Sequence, residues 1–151
     1  MMIETTRFGT VQVEDETLLT FPEGVLGFEA EKDYCLLEHA PGSPFLWLQS
    51  TVNPSLAFVV VNPFDFAQEY ELTISDADTV HLQLDSPEDV QVLTIVTISG
   101  GEITMNLVGP IVVNHRRRLA RQVILSDSRY GTRHALIPVS PPASREYSEV
   151  A

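Results

Sequence analysis

Tyr34-Cys-Leu-Leu-Glu-His39, Phe45-Leu-Trp-Leu-Gln-Ser50 and Leu56-Ala-Phe-Val-Val-Val61 are three successive apolar runs, separated by Pro41-Gly42 and Asn53-Pro54. Each run has the length of a strand and is rich in β-branched or aromatic side chains, which suit a pleated, half-buried surface. The proline and glycine pairs between them are turn chemistry. Short strands with turn signals about every eight to twelve residues favour a barrel or sandwich over alternating β and α units.

The same grammar extends in both directions. Towards the N-terminus, Phe8-Gly-Thr-Val-Gln-Val13 places apolar residues at alternate positions, and residues 17–21 follow, closed by Pro22-Glu23-Gly24. Towards the C-terminus, strands are expected at 90–98, 103–108, 111–114, 122–125 and 134–137. Gly100-Gly101 reads as a tight hairpin turn. Gly109-Pro110 marks a bulge, bend or edge, because proline cannot donate to a central ladder. Helix is scarce. Residues 75–84 are the best candidate, with Ser75 or Asp76 as cap, although Val80, Leu82 and Leu84 alternate as a strand would. The fold class expected is all-β (mainly β): one small, single-domain β-barrel-like fold over residues 1–138, built of short antiparallel strands with little helix. A flexible C-terminal tail, 139–151, is expected from its lack of periodicity.

Charge is distributed unevenly along the chain. Residues 1–102 hold eighteen acidic side chains against Arg7 and Lys32, a net of −16. Residues 103–151 hold seven arginines against three acids, a net of +4, which leaves −12 for the whole chain. Such a balance repels nucleic acid and anionic membrane and favours a basic partner. The longest apolar run, 56–61, is too short to cross a bilayer, and the N-terminus lacks a basic region followed by an apolar one. Cys35 is the single cysteine, so no internal disulfide forms, which suits a reducing compartment. The expectation is a soluble cytoplasmic protein.

No catalytic constellation emerges. His39, His81, His115 and His134 are scattered and lack zinc-site spacing, so neither a metal site nor a cofactor is assigned. Cys35 sits in an apolar strand as a small hydrophobe, and the acidic pairs lie in polar turns. Arg116-Arg117-Arg118 with Arg121 reads either as a phosphate-contacting patch, making the chain an RNA-binding barrel, or as a solvated loop between strands. The aromatic side chains that an RNA surface interleaves with basic ones lie in the acidic half instead. One segment is harder to dismiss. Asn62-Pro-Phe-Asp-Phe66 with Glu69-Tyr-Glu71 is either a plug for the barrel end or an apolar patch with an acidic rim, suited to a basic protein.

These motifs, taken in order, resemble the flagellar assembly factor FliW family from Ile3 to about Pro138. The match is carried by Phe8-Gly9, Phe21-Pro-Glu-Gly-Val-Leu-Gly-Phe28, Phe45-Leu-Trp-Leu-Gln-Ser50 and Ala57-Phe58. Asn62-Pro-Phe-Asp-Phe66 with Tyr70-Glu71, Asn106-Leu-Val-Gly-Pro-Ile-Val-Val-Asn114, and Gln122-Val-Ile-Leu125 with Tyr130 complete it. The resemblance implies a cytoplasmic, non-catalytic protein, monomeric when free, that binds flagellin before export and also binds the translational repressor CsrA. It further implies that flagellin and CsrA exclude one another, so that flagellin supply follows secretion. No direct nucleic-acid or membrane contact is implied. For partner contact the first candidates are Phe64, Phe66, Tyr70 and Glu71. Asn106, Pro110, Asn114 and Gln122 come second, since polar residues in apolar strands need either a partner or a backbone hydrogen bond. Residues 21–28 are expected to set the fold through a tight turn with core-facing aromatics.

Overall fold

The computed structural model describes residues 1–127 and 129–136; the expected tail, 139–151, and the end of the last expected strand, at 137, lie outside them. In chain order the elements are β1 (Met2–Thr5), β2 (Gly9–Gln12), β3 (Leu18–Thr20), β4 (Asp33–Glu38), β5 (Leu46–Ser50) and β6 (Ala57–Val61). They continue as α1 (Asp76–His81), β7 (Val90–Ser99), β8 (Glu102–Met105), β9 (Ile111–Asn114), β10 (Leu119–Gln122) and β11 (His134–Ala135). Strands β7, β6, β5, β4, β3, β10 and β9 pair in that order, and β9 pairs back onto β7 to close a seven-stranded barrel. Strands β8 and β11 extend the sheet beyond the ring, and β1 with β2 forms a separate hairpin. The pairs are antiparallel with one exception: β3 meets β10 in parallel at Thr20 and Leu119.

The three runs that betray the fold are apolar at nearly every position because both faces of the barrel wall are covered. Tyr34, Leu48, Val60, Leu93, Ile111 and Val113 point into the barrel, where they pack with Leu19, Phe21 and Val25. Cys35, between Tyr34 and Leu36, points outwards under the β1–β2 hairpin and packs on Ile3 and Val13. Val112 likewise points outwards and packs with Leu82 of the α1 cap and Val123. Each fully buried Leu or Val side chain stabilises by about 1.5–3 kcal/mol. Buried Gln49 closes the β5–β6 hairpin by donating from Nε2 to the carbonyls of Ser50, Pro54 and Leu56 at 3.0–3.2 Å.

Local chemistry explains the remaining elements. Ser75 Oγ accepts from the Asp78 amide at 3.1 Å and starts α1, so residues 76–81 are helical. Gly100 and Gly101 take φ of +58° and +85°, as a two-residue hairpin turn between β7 and β8 requires. Gly109-Pro110 lies where β7 exchanges β8 for β9 as its neighbour, between Val96↔Met105 and Leu93↔Ile111. Two expectations need correction. The strand expected at 122–125 is β10, three residues earlier, because Arg118 takes φ +57° and turns the chain back at once. Residues 123–125 still bond to the neighbouring segment, through Val123 N–H to the Pro110 carbonyl and Leu125 N–H to that of Val108. Of the two aromatic residues in 21–28 only Phe21 faces the core, alongside Val25; Phe28 is 43% exposed and packs edge-on against Phe58.

Burial of Cys35 makes a testable link to pH. Removal from water pushes its thiol up from 9.0 to about 11. The folded chain therefore holds this proton where the unfolded chain has lost it. The contribution is whole below pH 9 and disappears as pH rises towards 11. Cys35→Ala is expected to flatten the loss of urea resistance over that window. The Cys35 thiol of the native chain is also expected to react with thiol reagents only on unfolding.

Candidate partner-binding site

The first four candidate residues meet at one place. Pro63 to Asp65 form a single 3₁₀ turn after β6, capped by Asn62, whose Oδ1 accepts from the Phe64 amide at 3.0 Å. The cap holds Phe64 outwards, 38% exposed, with its ring 5.8 Å from that of Tyr70. Phe66 turns inwards and packs with Val61, Val96 and Met105. Tyr70 is buried, and its hydroxyl donates to the Leu107 carbonyl at 2.7 Å. Burial drives the Tyr70 phenol well above its usual value. Glu71 is exposed, while its amide donates to the Tyr130 hydroxyl at 2.8 Å.

Tyr130 is the residue the sequence reading undervalues here. Its ring stacks edge-on against Tyr70 at 4.8 Å, and the Arg129 guanidinium lies 5.1 Å over it. Arg129 in turn pairs with Asp127 at 2.7 Å and approaches Glu71 at 3.8 Å. Hydrogen bonds from Arg129 hold the Asp127 carboxyl below its ordinary value. The available signal was a lone tyrosine in a polar turn, 59 residues from the amide it accepts from. No local pattern reports such a distance.

The other four candidates are occupied by the fold. Asn106 Oδ1 accepts from the Val108 and Gly109 amides at 3.0 Å each and shapes that bend. Gln122 joins two loops, accepting from the Leu26 amide at 3.1 Å and donating to the Gly109 carbonyl at 2.9 Å. Pro110 is buried. Asn114 is fully buried, donates to the Leu82 and Gln83 carbonyls, and accepts from the Arg116 and Arg117 amides. Of the two needs left open for Asn114, the backbone meets it. The loop 106–110 still adjoins the aromatic cluster, through the Leu107 carbonyl that Tyr70 binds.

Arginines that stand apart in sequence are neutralised in space. Arg116 pairs with Asp85 at 2.6 Å and Asp89 at 3.3 Å, and Arg117 approaches Asp85 at 3.6 Å. Arg121 lies between Glu23 and Asp78, 3.1 Å from each. Arg118 Nε donates to the Leu18 carbonyl at 2.9 Å. Residues 115–118 are thus a largely exposed turn joining β9 to β10, as one of the two readings expected, and Arg116, Arg117 and Arg121 are in addition ion-paired. Asp65, Glu69 and Asp76 are exposed, and among the described residues none has an ion-pair partner. Within the same residues no group of three or more His, Cys, Asp or Glu is placed to hold a metal, and no helix is long and apolar enough to cross a membrane.

A family model described as FliW protein matches residues 2–136. The chain belongs to the FliW family. Relatives named flagellar assembly factor FliW include one from Magnetococcus marinus, 41% identical over 143 residues, spanning 93% of this chain and 87% of the relative. Another, from Bacillus subtilis, is 38% identical and spans 90% of this chain and 96% of its own. A crystal structure of the flagellar assembly factor FliW superposes with a TM-score of 0.83 at 36% identity, covering 91% of this chain and 98% of the other. The barrel is therefore a FliW fold.

Proposed function

We propose that this flagellar assembly factor is a non-catalytic, cytoplasmic protein-binding switch, monomeric when free, that binds flagellin and antagonises the translational repressor CsrA. Flagellin and CsrA compete, so export of flagellin frees the chain to take CsrA from flagellin mRNA. The observation that carries this reading is the exposed Phe64 ring, packed on buried Tyr70, with the exposed residues Asp65 and Glu69 next to these two in the chain and without ion-pair partners among the described residues. An apolar anchor on a rigid base with an acidic rim suits a basic protein surface. Phe66, Tyr70 and Glu71 support that anchor from beneath and beside it, and the 106–110 bend with Gln122 backs it.

The alternative is an RNA-binding barrel using Arg116 to Arg121. Ion pairing of Arg116, Arg117 and Arg121 weighs against it, since each would have to give up a carboxylate to reach phosphate. The test uses the purified chain with flagellin and CsrA from the same cell and the flagellin leader RNA. The chain is expected to co-elute with each protein and to release RNA from CsrA. Phe64→Arg is expected to weaken association about tenfold or more, at an unchanged melting temperature. Direct retention of leader RNA by the chain alone would favour the other reading.

A further inference from the structure

Strand β6 ends at Val61, opposite Thr94, and Pro63 lacks the N–H that the next rung of the ladder needs. Strand β7 runs on past that point to Val90. Its pairing on the other edge fixes where its main chain points. The Ile95 carbonyl accepts from Asn106 N–H, and the Asp89 carbonyl from His115 N–H, both at 3.0 Å. Odd-numbered residues from 89 to 95 thus face β8 and β9, and even-numbered ones face the side that β6 has left. The Val90 amide donates to the Pro87 carbonyl. Among the described residues, the Val90 carbonyl and the Val92 amide and carbonyl have no hydrogen-bond partner on that side.

A groove of 670 Å³ opens along this edge, lined by Phe64, Leu72, Ile74, Leu84, Val90 and Val92 among others. Asp65 and Glu88, next to lining residues Phe64 and Pro87, are exposed, and neither has an ion-pair partner among the described residues. We infer that this edge takes up an extended segment of a partner protein as an added strand, with apolar side chains at alternate positions and basic residues at its ends. The spacing of the free main-chain groups, two residues apart, calls for a strand, since the main-chain groups inside a helix are already paired with one another. The apolar lining calls for every second side chain of that strand to be apolar. The two carboxylates call for the basic ends. The inference goes beyond the flagellin and CsrA reading and holds whichever protein supplies the segment.

The test is amide hydrogen exchange by NMR on the full chain, with the end-blocked peptide Lys-Val-Thr-Val-Thr-Val-Lys as probe. Saturating peptide is expected to slow exchange of the Val92 amide about tenfold or more. The amides of Gln91 and Leu93, which face β9, are expected to be slow with or without it. The peptide N-methylated at its valines, whose amides face Val90 and Val92, is expected not to bind. A version with glutamates for lysines is expected to bind about tenfold more weakly at low salt. Absence of binding, binding that leaves Val92 exchange unchanged, or equal binding of the N-methylated peptide would each overturn the inference. So would slow Val92 exchange that grows with protein concentration without peptide, which would assign the edge to a second copy.

Discussion

Replacing Asn114 by Ala is expected to lower unfolding free energy by about 3 kcal/mol, a loss of roughly a hundredfold in the folding equilibrium. Few side chains here serve so many main-chain groups. From a fully buried position, Asn114 Nδ2 reaches the Leu82 and Gln83 carbonyls at 2.9 and 3.1 Å, while Oδ1 holds the Arg116 and Arg117 amides at 3.1 Å each. It thereby fastens the end of α1 to the β9–β10 turn. Alanine strands the Leu82 carbonyl in a dry site, and each such loss costs about 1–3 kcal/mol. The groups nearer solvent recover part of their bonding from water. Asn114→Asp sharpens the test. The aspartate keeps its acceptors for the two amides but turns a second oxygen towards two carbonyls, so at pH 7 it is expected to cost at least as much as alanine. At low pH, where the acid can donate, part of the loss should return. Urea denaturation at both pH values checks this, and a cost below about 1 kcal/mol for alanine would show that the turn holds itself.

The contrast between what was and was not legible follows from range. Strand β9 was readable at residues 111–114 because Pro110 opens it and a continuous apolar run defines it. The Ser75 cap and the Gly100-Gly101 turn announce themselves within a few residues. Strand β10 was misplaced because Leu119 and Ala120 follow three arginines, and the turn beneath them depends on Asn114 and on a left-handed Arg118. Strand β1 was missed for a related reason: Met2–Thr5 has one short alternation, and only its pairing with Gly9–Gln12 makes it a strand. At the candidate site, Phe64 and Phe66 stood out as aromatics in a polar loop. Tyr130 and Arg129 did not, since their contacts with Glu71 and Tyr70 span about sixty residues. The division of charge along the chain was correct as arithmetic and misleading as geometry. Arg116, Arg121 and Arg129 each cross to carboxylates of the acidic stretch.

That redistribution decides which carboxylates can act at a distance, and so which substitution tests the proposed antagonism. With Asp65, Glu69 and Asp76 all changed to their amides, release of leader RNA from CsrA is expected to need about tenfold more protein at low salt. These three have no ion-pair partner among the described residues, so their removal takes away field and leaves no arginine unpaired. Asp78 and Glu71 are poorer choices. Asp78 is 3.1 Å from Arg121 and has a side chain only 16% exposed, so its amide would leave Arg121 with Glu23 as its one carboxylate among the described residues. Glu71 lies 3.8 Å from Arg129, so part of its charge is already compensated and its removal takes away less field. Asp76 lies in the first turn of α1, where its charge is worth only a few tenths of a kcal/mol, about 0.3–1 at most, so the fold should survive. Because the screening length shrinks from about 30 Å at 0.01 M salt to about 8 Å at 0.15 M, the deficit should narrow as salt rises. Phe64→Ala, measured alongside, should weaken antagonism by a factor that salt does not change, because it removes contact and not field. If the triple amide released RNA as well as the parent at every salt concentration, the acidic rim would be a solvated surface and the partner would be held by the aromatic anchor alone.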